Sequence, residues 1–404
     1  MCAGAFRVTM GRMPDTQPHL ELQGDGHLPP SWLTGWLPVG AGVGAMVVAL
    51  GLAPTSARSA AAQVYAPFVL VAGLILVGLV ADGDGLFSLV GHRLAVLAPN
   101  GTVLFVGAAA LTATVTAVLN LDTAVVFLTP VLVNAARSRR ADPTPFVVSC
   151  LLLANAGSLL LPGSNLTNLI VLGHLHLSGG QFLHRMALPW VASVVVTTAV
   201  IGVLERRHLR SSAPTTRSHD RAVLGVGLVS VVVATALVVV LRSPAVPVAA
   251  VGVVAVALRL SSRELDPGRV AGVLGARVLV ALFGIAVAFG TLGRQWHWPT
   301  SLLGQLDAAG TAVLGAGLSI LVNNLPAASL LAARTPPHPF ALLIGLDVGP
   351  NLFVTGSLAW VLWWRTTRQT GARPPTSRAV LLGLVSVPLA MAAAVALVSV
   401  TGPS

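Results

Sequence analysis

The sequence predicts an all-α polytopic membrane protein built as an inverted repeat with two re-entrant hairpins and two broken helices. Three observations carry this. Of 404 residues, 55% are hydrophobic and only 9% charged, arranged in repeated long apolar runs. Two pairs of apolar arms meet at polar tips, Asn120-Leu121-Asp122-Thr123 and Asn323-Asn324. Two further apolar segments are interrupted at membrane depth, by Leu161-Pro162-Gly163-Ser164-Asn165 and by Asp347-Val348-Gly349-Pro350-Asn351. Proline removes a backbone donor and glycine weakens a helix. In hydrocarbon the freed backbone groups are tolerated only where protein or a water-filled cavity satisfies them.

Taken in order, residues 1–30 are polar, lack an apolar signal-peptide core and read as a disordered cytoplasmic tail. Spans are predicted near 31–52 and 64–81, then an amphipathic or interfacial piece near 86–98. The first half, 31–204, continues with an inner hairpin (102–136), a broken helix (145–173) and a span near 187–204. A cytoplasmic linker, 205–221, leads to the second half, 222–404. There, spans near 222–241, 245–260 and 273–291 precede an outer hairpin (300–333), a broken helix (338–364) and a last span near 379–400. The hairpin arms are read as too short, with too polar a junction, for full crossings. One hairpin enters from each side, so the halves have inverted topology, a recurrent design of secondary transporters.

Charge orients the chain. The net charge is +11, yet all 24 basic residues are arginine and most lie in short loops, which speaks for the positive-inside rule and against nucleic acid. With the N-terminus cytoplasmic and the C-terminus outside, only Arg58, Arg185, Arg242, Arg294 and Arg334 of the 24 fall on the outer side. Two cysteines, Cys2 and Cys150, supply neither a disulfide framework nor a thiolate metal site.

If the repeat is real, hairpin tips and helix breaks converge. They bring Asn120, Asp122, Thr123, Asn155, Ser158, Ser164, Asn165, Thr167 and Asn168 to Asn323, Asn324, Asp347, Asn351, Thr355 and Ser357. Such a hydroxyl-and-amide cage suits a small polyhydroxylated neutral solute, or an anion held by helix dipoles. Asp122 and Asp347 are the acids at depth, one per half. Desolvation favours a carboxyl's neutral form, which makes them candidates for proton coupling, with Na⁺ coordination as the competing role. Alternatively, each acid accepts a hydrogen bond that fixes a helix break.

Other motifs are set aside. Gly40-Ala41-Gly42-Val43-Gly44 lies within a span and fits close helix packing better than phosphate binding. Asp82-Gly83-Asp84 opens like a calcium loop, but the position for its closing glutamate holds Arg93. His174, His176 and His184 read as a solvated outer loop, and Asn165-Leu166-Thr167 as a glycosylation pattern inside the membrane. No nucleophile-plus-base set, metal cluster or cofactor motif points to an enzyme.

The stretches 154–170 (ANAGSLLLPGSNLTNLI), 321–326 (LVNNLP) and 344–364 (IGLDVGPNLFVTGSLAWVLWW) resemble the arsenite permease (ArsB-type) family. That family belongs to the ion transporter superfamily, with dicarboxylate/citrate and NhaD-type sodium/proton relatives. The hairpin 120–130, NLDTAVVFLTP, is similar to the family's NNDTT hairpin, with Leu121 and Ala124 as departures. The resemblance implies efflux of arsenite and antimonite, as neutral trihydroxy species, in exchange for protons across the cytoplasmic membrane. It also implies an inverted-repeat dimer and, in some relatives, a cytosolic arsenite-stimulated ATPase partner. The site residues it implies are Asn120, Asp122, Thr123, Ser164, Asn165, Asn323, Asn324, Asp347, Asn351 and Ser357; Thr355 joins them from the break itself. Alternatives are carboxylate or Na⁺/H⁺ transport and, from another class, a non-transporting membrane sensor or subunit.

Overall fold

The computed structural model describes residues 31–173, 175, 177–209 and 225–400. The polar tail, His174, His176, Arg210, Arg217, Arg221 and most of the linker lie outside them. The described residues are helical almost throughout, with no strand among them.

Helices α1 (Ser31–Leu52) and α2 (Pro54–Gly83) open the fold. Proline at the first position of α2 is preorganised for a helix start. The helix therefore begins ten residues before the apolar run near 64–81, taking Arg58 and Gln63 into it. Next, α3 (Leu86–Leu97) buries Phe87, Gly91 and Ala95 at helical spacing.

The first hairpin is α4 (Gly101–Val118) and α5 (Leu121–Ser138). Only Leu119 and Asn120 separate them, so Asp122 and Thr123 belong to the first turn of α5 rather than to a loop. By length alone α4 could cross a membrane. It does not end at a surface: Leu119, Asn120, Leu121 and Thr123 are all buried, so the hairpin tip lies inside the molecule.

The first broken helix is α6 (Thr144–Ala156), two 3-10 turns at Gly157–Leu159 and Pro162–Ser164, and α7 (Leu166–Leu172). It is followed by α8 (Gly179–Leu204), opened by a reciprocal Ser178/Gln181 capping box.

The second half runs α9 (Val226–Val240), α10 (Ala245–Ser261), α11 (Pro267–Leu274) and α12 (Ala276–Gln295). Gly275, at φ +56°, turns the chain between the last two, a conformation that glycine adopts without steric cost. The outer hairpin's first arm is split into α13 (Trp298–Leu303) and α14 (Ala308–Val322), because Asp307 caps a new helix start; α15 (Asn324–Leu331) returns. The second broken helix is α16 (Pro339–Val348), a 3-10 turn at Gly349–Leu352, and α17 (Leu358–Gln369), before α18 (Thr376–Val400).

Each half thus repeats hairpin, then broken helix. Two apolar clusters hold them: one joins α2 to α3–α6, α9, α10 and α17, the other joins α2 to α7, α8, α12, α14–α16 and α18. Small residues let backbones touch. A Cβ on Gly284 of α12 would fall 2.2 Å from the Gly42 oxygen of α1, so Gly42, the middle glycine of the α1 run, serves helix packing, while a Cβ on Gly40 or Gly44 would meet nothing within 4 Å. The ionic contacts lie at helix ends. Buried Asp84 pairs with Arg259 and accepts from the Gly227 amide at 2.7 Å, and Arg378 meets buried Glu205 at 2.5 Å.

Candidate functional site: two bonded helix breaks beside a small cavity

Both breaks are stitched by side chains. In the first, the Ser158 hydroxyl donates to the Asn155 carbonyl at 2.7 Å, and Asn168 Nδ2 donates to the Ser158 carbonyl at 2.7 Å. The Ser164 hydroxyl serves the Ser158 and Leu161 carbonyls. These bonds take the place of the helical ones that the Pro162-Gly163 interruption removes.

The second break is bonded to the first. Asp347 Oδ1 accepts from Asn165 Nδ2 at 2.9 Å and from the Thr167 hydroxyl at 2.5 Å. One turn later, Asn351 Oδ1 accepts from Asn155 Nδ2 at 2.9 Å, while Asn351 Nδ2 donates to the Leu152 carbonyl at 2.8 Å. All of these residues are buried. Asp347 therefore does fix a helix break, but with only one of its oxygens.

The unused atoms divide by chemistry. Every side-chain donor of this network is spent, whereas Asp347 Oδ2, Asn155 Oδ1 and Asn168 Oδ1 have no partner among the described residues. The centre is short of positive charge or hydrogen, which a proton or a cation supplies. At the first hairpin and the start of α17, the unpartnered buried groups are instead Asn120 Nδ2 and the hydroxyls of Thr123 and Ser357, all able to donate.

Of these three, Thr123 lines a cavity of about 120 Å³, and Asn120 and Ser357 cap the two helices, α5 and α17, that border it. The cavity is lined by Asp122 and Thr123 at the start of α5, Leu166 at the start of α7, Leu358, Leu362 and Arg365 on α17, Ile75 on α2, and the α11–α12 corner. The starts of α5, α7 and α17 thus border one space. Asn120 caps α5 by accepting from the Thr123 amide at 2.7 Å, which holds its Nδ2 group fixed.

Asn323 and Thr355 do not line this cavity. Asn323 Nδ2 donates to the Thr355 carbonyl at 3.2 Å, and the exposed Thr355 hydroxyl donates to the Ile320 carbonyl at 2.6 Å. Asn324 reaches the second break through its backbone, its amide donating to the Gly356 carbonyl at 2.9 Å. The structure thus ties the second hairpin to the second break and spends those groups in doing so.

Residue-type reasoning passed over several groups. Trp190 Nε1 donates to the Gly157 carbonyl and Trp360 Nε1 to the Pro350 carbonyl, each at 2.9 Å, so one indole closes a freed carbonyl at each break. Arg365, assigned to a loop, lines the cavity. Gln63 donates to carbonyls on both α7 and α15. An amide beside an apolar run was the only signal for it.

A family model described as citrate transporter (CitMHS) matches residues 32–362. The arsenical pump membrane protein of Yersinia enterocolitica is 25% identical over 332 residues, covering 73% of this chain and 77% of that protein. One from Escherichia coli is 24% identical over 332 residues with the same coverage. Among solved structures, the YdaH transporter of Alcanivorax borkumensis, described as having an unusual topology, aligns with a TM-score of 0.51 at 16% identity. The alignment covers 86% of this chain and 87% of that one, a likeness of fold.

Proposed function

Because the chain belongs to the citrate transporter (CitMHS) family, within the ion transporter superfamily, we propose that this multi-pass membrane transporter exports arsenite and antimonite in exchange for protons. The observation that carries the reading is the small cavity where α5, α7 and α17 start, lined by Asp122 and Thr123 among mostly apolar side chains. Its size suits a compact solute such as a central atom with three hydroxyls. The Thr123 hydroxyl on the cavity wall, with Asn120 Nδ2 and the Ser357 hydroxyl at the caps of the helices bordering it, would hold the solute's oxygens. Arsenical pump relatives support the same solute class.

Coupling is assigned to the two acids. Asp347 keeps one oxygen free in a centre whose other unpartnered atoms are all acceptors, which supports proton uptake there. Asp122, half-buried at the cavity, would exchange protons with the open side. Asn165 and Thr167 hold Asp347, Ser164 and Asn168 shape the first break, and Asn323, Asn324, Asn351 and Thr355 carry the second break and its hairpin. Arginine distribution supports a cytoplasmic N-terminus, an outer C-terminus and inverted halves in the cytoplasmic membrane.

The test is arsenite movement in everted vesicles under an imposed proton gradient. Accumulation that collapses with the gradient supports the reading; gradient-driven citrate movement without arsenite movement overturns it. One observation favours that second reading, carboxylate transport: Arg365 stands at the cavity as a ready partner for an anion.

A further inference from the structure

Gln63 belongs to neither break, yet it touches more of the moving parts than any residue in them. From α2, its Nε2 donates to the Ile170 carbonyl near the end of α7 and to the Ala332 carbonyl just past α15, both at 2.9 Å. Its Oε1 accepts from Arg294 Nη2 at 2.7 Å. Arg294, in the last turn of α12, is itself held by the Gly290 carbonyl at 2.8 Å. One amide side chain therefore joins four helices. The arginine fixes its orientation, because the oxygen must face the guanidinium and both amide hydrogens are then left for the carbonyls.

Both carbonyls lie at helix ends, where the helical ladder runs out; that of Ile170 also accepts a long bond from the Gly173 amide at 3.3 Å. The helices they terminate are the short ones whose opposite ends carry Asn165 with Thr167, and Asn323 with Asn324. Clipping α7 to α15 at one end thus sets the register of both at the site.

The clip and the cavity lie at opposite ends of the same helices. On α2, Ile75 of the cavity is about 18 Å beyond Gln63 at 1.5 Å per residue. On α12, Val278 of the cavity is about 24 Å from Arg294. On α7, Leu166 faces the cavity and Ile170 faces the clip. A transporter that is open at the cavity must be closed at the other end, and the Gln63 hub is a polar closure there.

We propose that Gln63, oriented by Arg294, is the latch that holds the site closed on the side opposite the cavity, positioning α7 and α15 in the cavity-open state. Transport requires its three hydrogen bonds to break in each cycle. Weakening them shifts the population away from the cavity-open state, by whatever differential stabilisation the latch gave that state.

The test reads conformation without solute, so it stands or falls separately from the arsenite reading. In a Cys2→Ser, Cys150→Ala background, Leu274→Cys places a reporter in the half-buried cavity wall. A membrane-impermeant maleimide then labels it from the cavity side. Gln63→Leu and Arg294→Gln are each expected to shift the ratio of the two states away from the cavity-open one by at least about threefold, and so to slow labelling by up to that factor. Gln63→Glu keeps a partner for Arg294 but loses the donors to both carbonyls, so it should slow labelling as well. If Gln63→Leu fails to fold, this variant decides alone. Unchanged or faster labelling in protein that melts like its parent would overturn the proposal.

Discussion

Asn155 Nδ2 donates to Asn351 Oδ1 at 2.9 Å, a side-chain bond between two helix breaks 196 residues apart in sequence. Asn351 returns a hydrogen bond from its own side-chain amide to the Leu152 carbonyl, about one turn before Asn155 on α6. Removing Asn351 takes two hydrogen bonds from a buried site and leaves Asn155 Nδ2 only its long 3.4 Å bond to the Leu151 carbonyl, and each lost hydrogen bond is worth about 0.5–1.5 kcal/mol. Asn351→Ala is therefore expected to lower the melting temperature of the purified protein clearly. In a double-mutant cycle with Asn155→Ala, the two losses should be non-additive by about 0.5–3 kcal/mol. Additive losses would mean that the breaks are not energetically joined.

Asp347→Asn separates the two roles of the acid. The amide keeps the shape and an oxygen for Asn165 and Thr167, so folding should survive. It cannot take up and release a proton at neutral pH, so arsenite efflux against a gradient should be lost while solute counterflow, which needs no net proton movement, persists. Counterflow lost together with efflux, in folded protein, would make Asp347 a binding or structural residue. Gradient-driven efflux that survives in both Asp347→Asn and Asp122→Asn would take these acids out of coupling.

Hydroxyls chosen by residue type alone divide once their partners are known. The Thr123 and Ser357 hydroxyls are buried with no partner among the described residues, so Thr123→Val and Ser357→Ala should leave stability unchanged or raise it. Their effect should appear as a raised KM for arsenite. Thr355→Val should do the reverse: it breaks the bond to the Ile320 carbonyl, worth about 1 kcal/mol, and leaves KM unchanged. Vesicle kinetics and thermal melting on the three variants check the division, and a raised KM in Thr355→Val would return that residue to the site.

That division also marks how far sequence alone reaches. The breaks were legible because Pro162-Gly163 and Gly349-Pro350 cannot continue a helix, whatever surrounds them. The capping role of Asn120 was legible in kind, since asparagine before a helical run accepts from the first turn. Gln63 and Arg294 were not. Each sits at the edge of an apolar run, where the hydropathy window ends; Gln63 bonds carbonyls more than a hundred residues away, and Arg294 bonds Gln63 from 231 positions along the chain. Backbone carbonyls leave no trace in residue identity, so a side chain's use of them shows only in three dimensions. The same holds for the indoles of Trp190 and Trp360, which read as apolar but act as donors.

Arg365 decides between solutes. It is exposed on α17, at the face that also carries Leu358 and Leu362, and it shares the cavity with Asp122 and Thr123. A neutral trihydroxy solute gains only an ordinary hydrogen bond from a guanidinium, whereas a carboxylate gains a charge-assisted and often bidentate one. Arg365→Gln should therefore leave the arsenite KM within about twofold and weaken any carboxylate competitor by about tenfold, on the order of 1.4 kcal/mol. Citrate competition against arsenite efflux in wild-type and Arg365→Gln vesicles measures both at once. If the substitution instead raises the arsenite KM by tenfold, the transported species meets Arg365 as an anion, and the neutral trihydroxy form is not what the cavity binds.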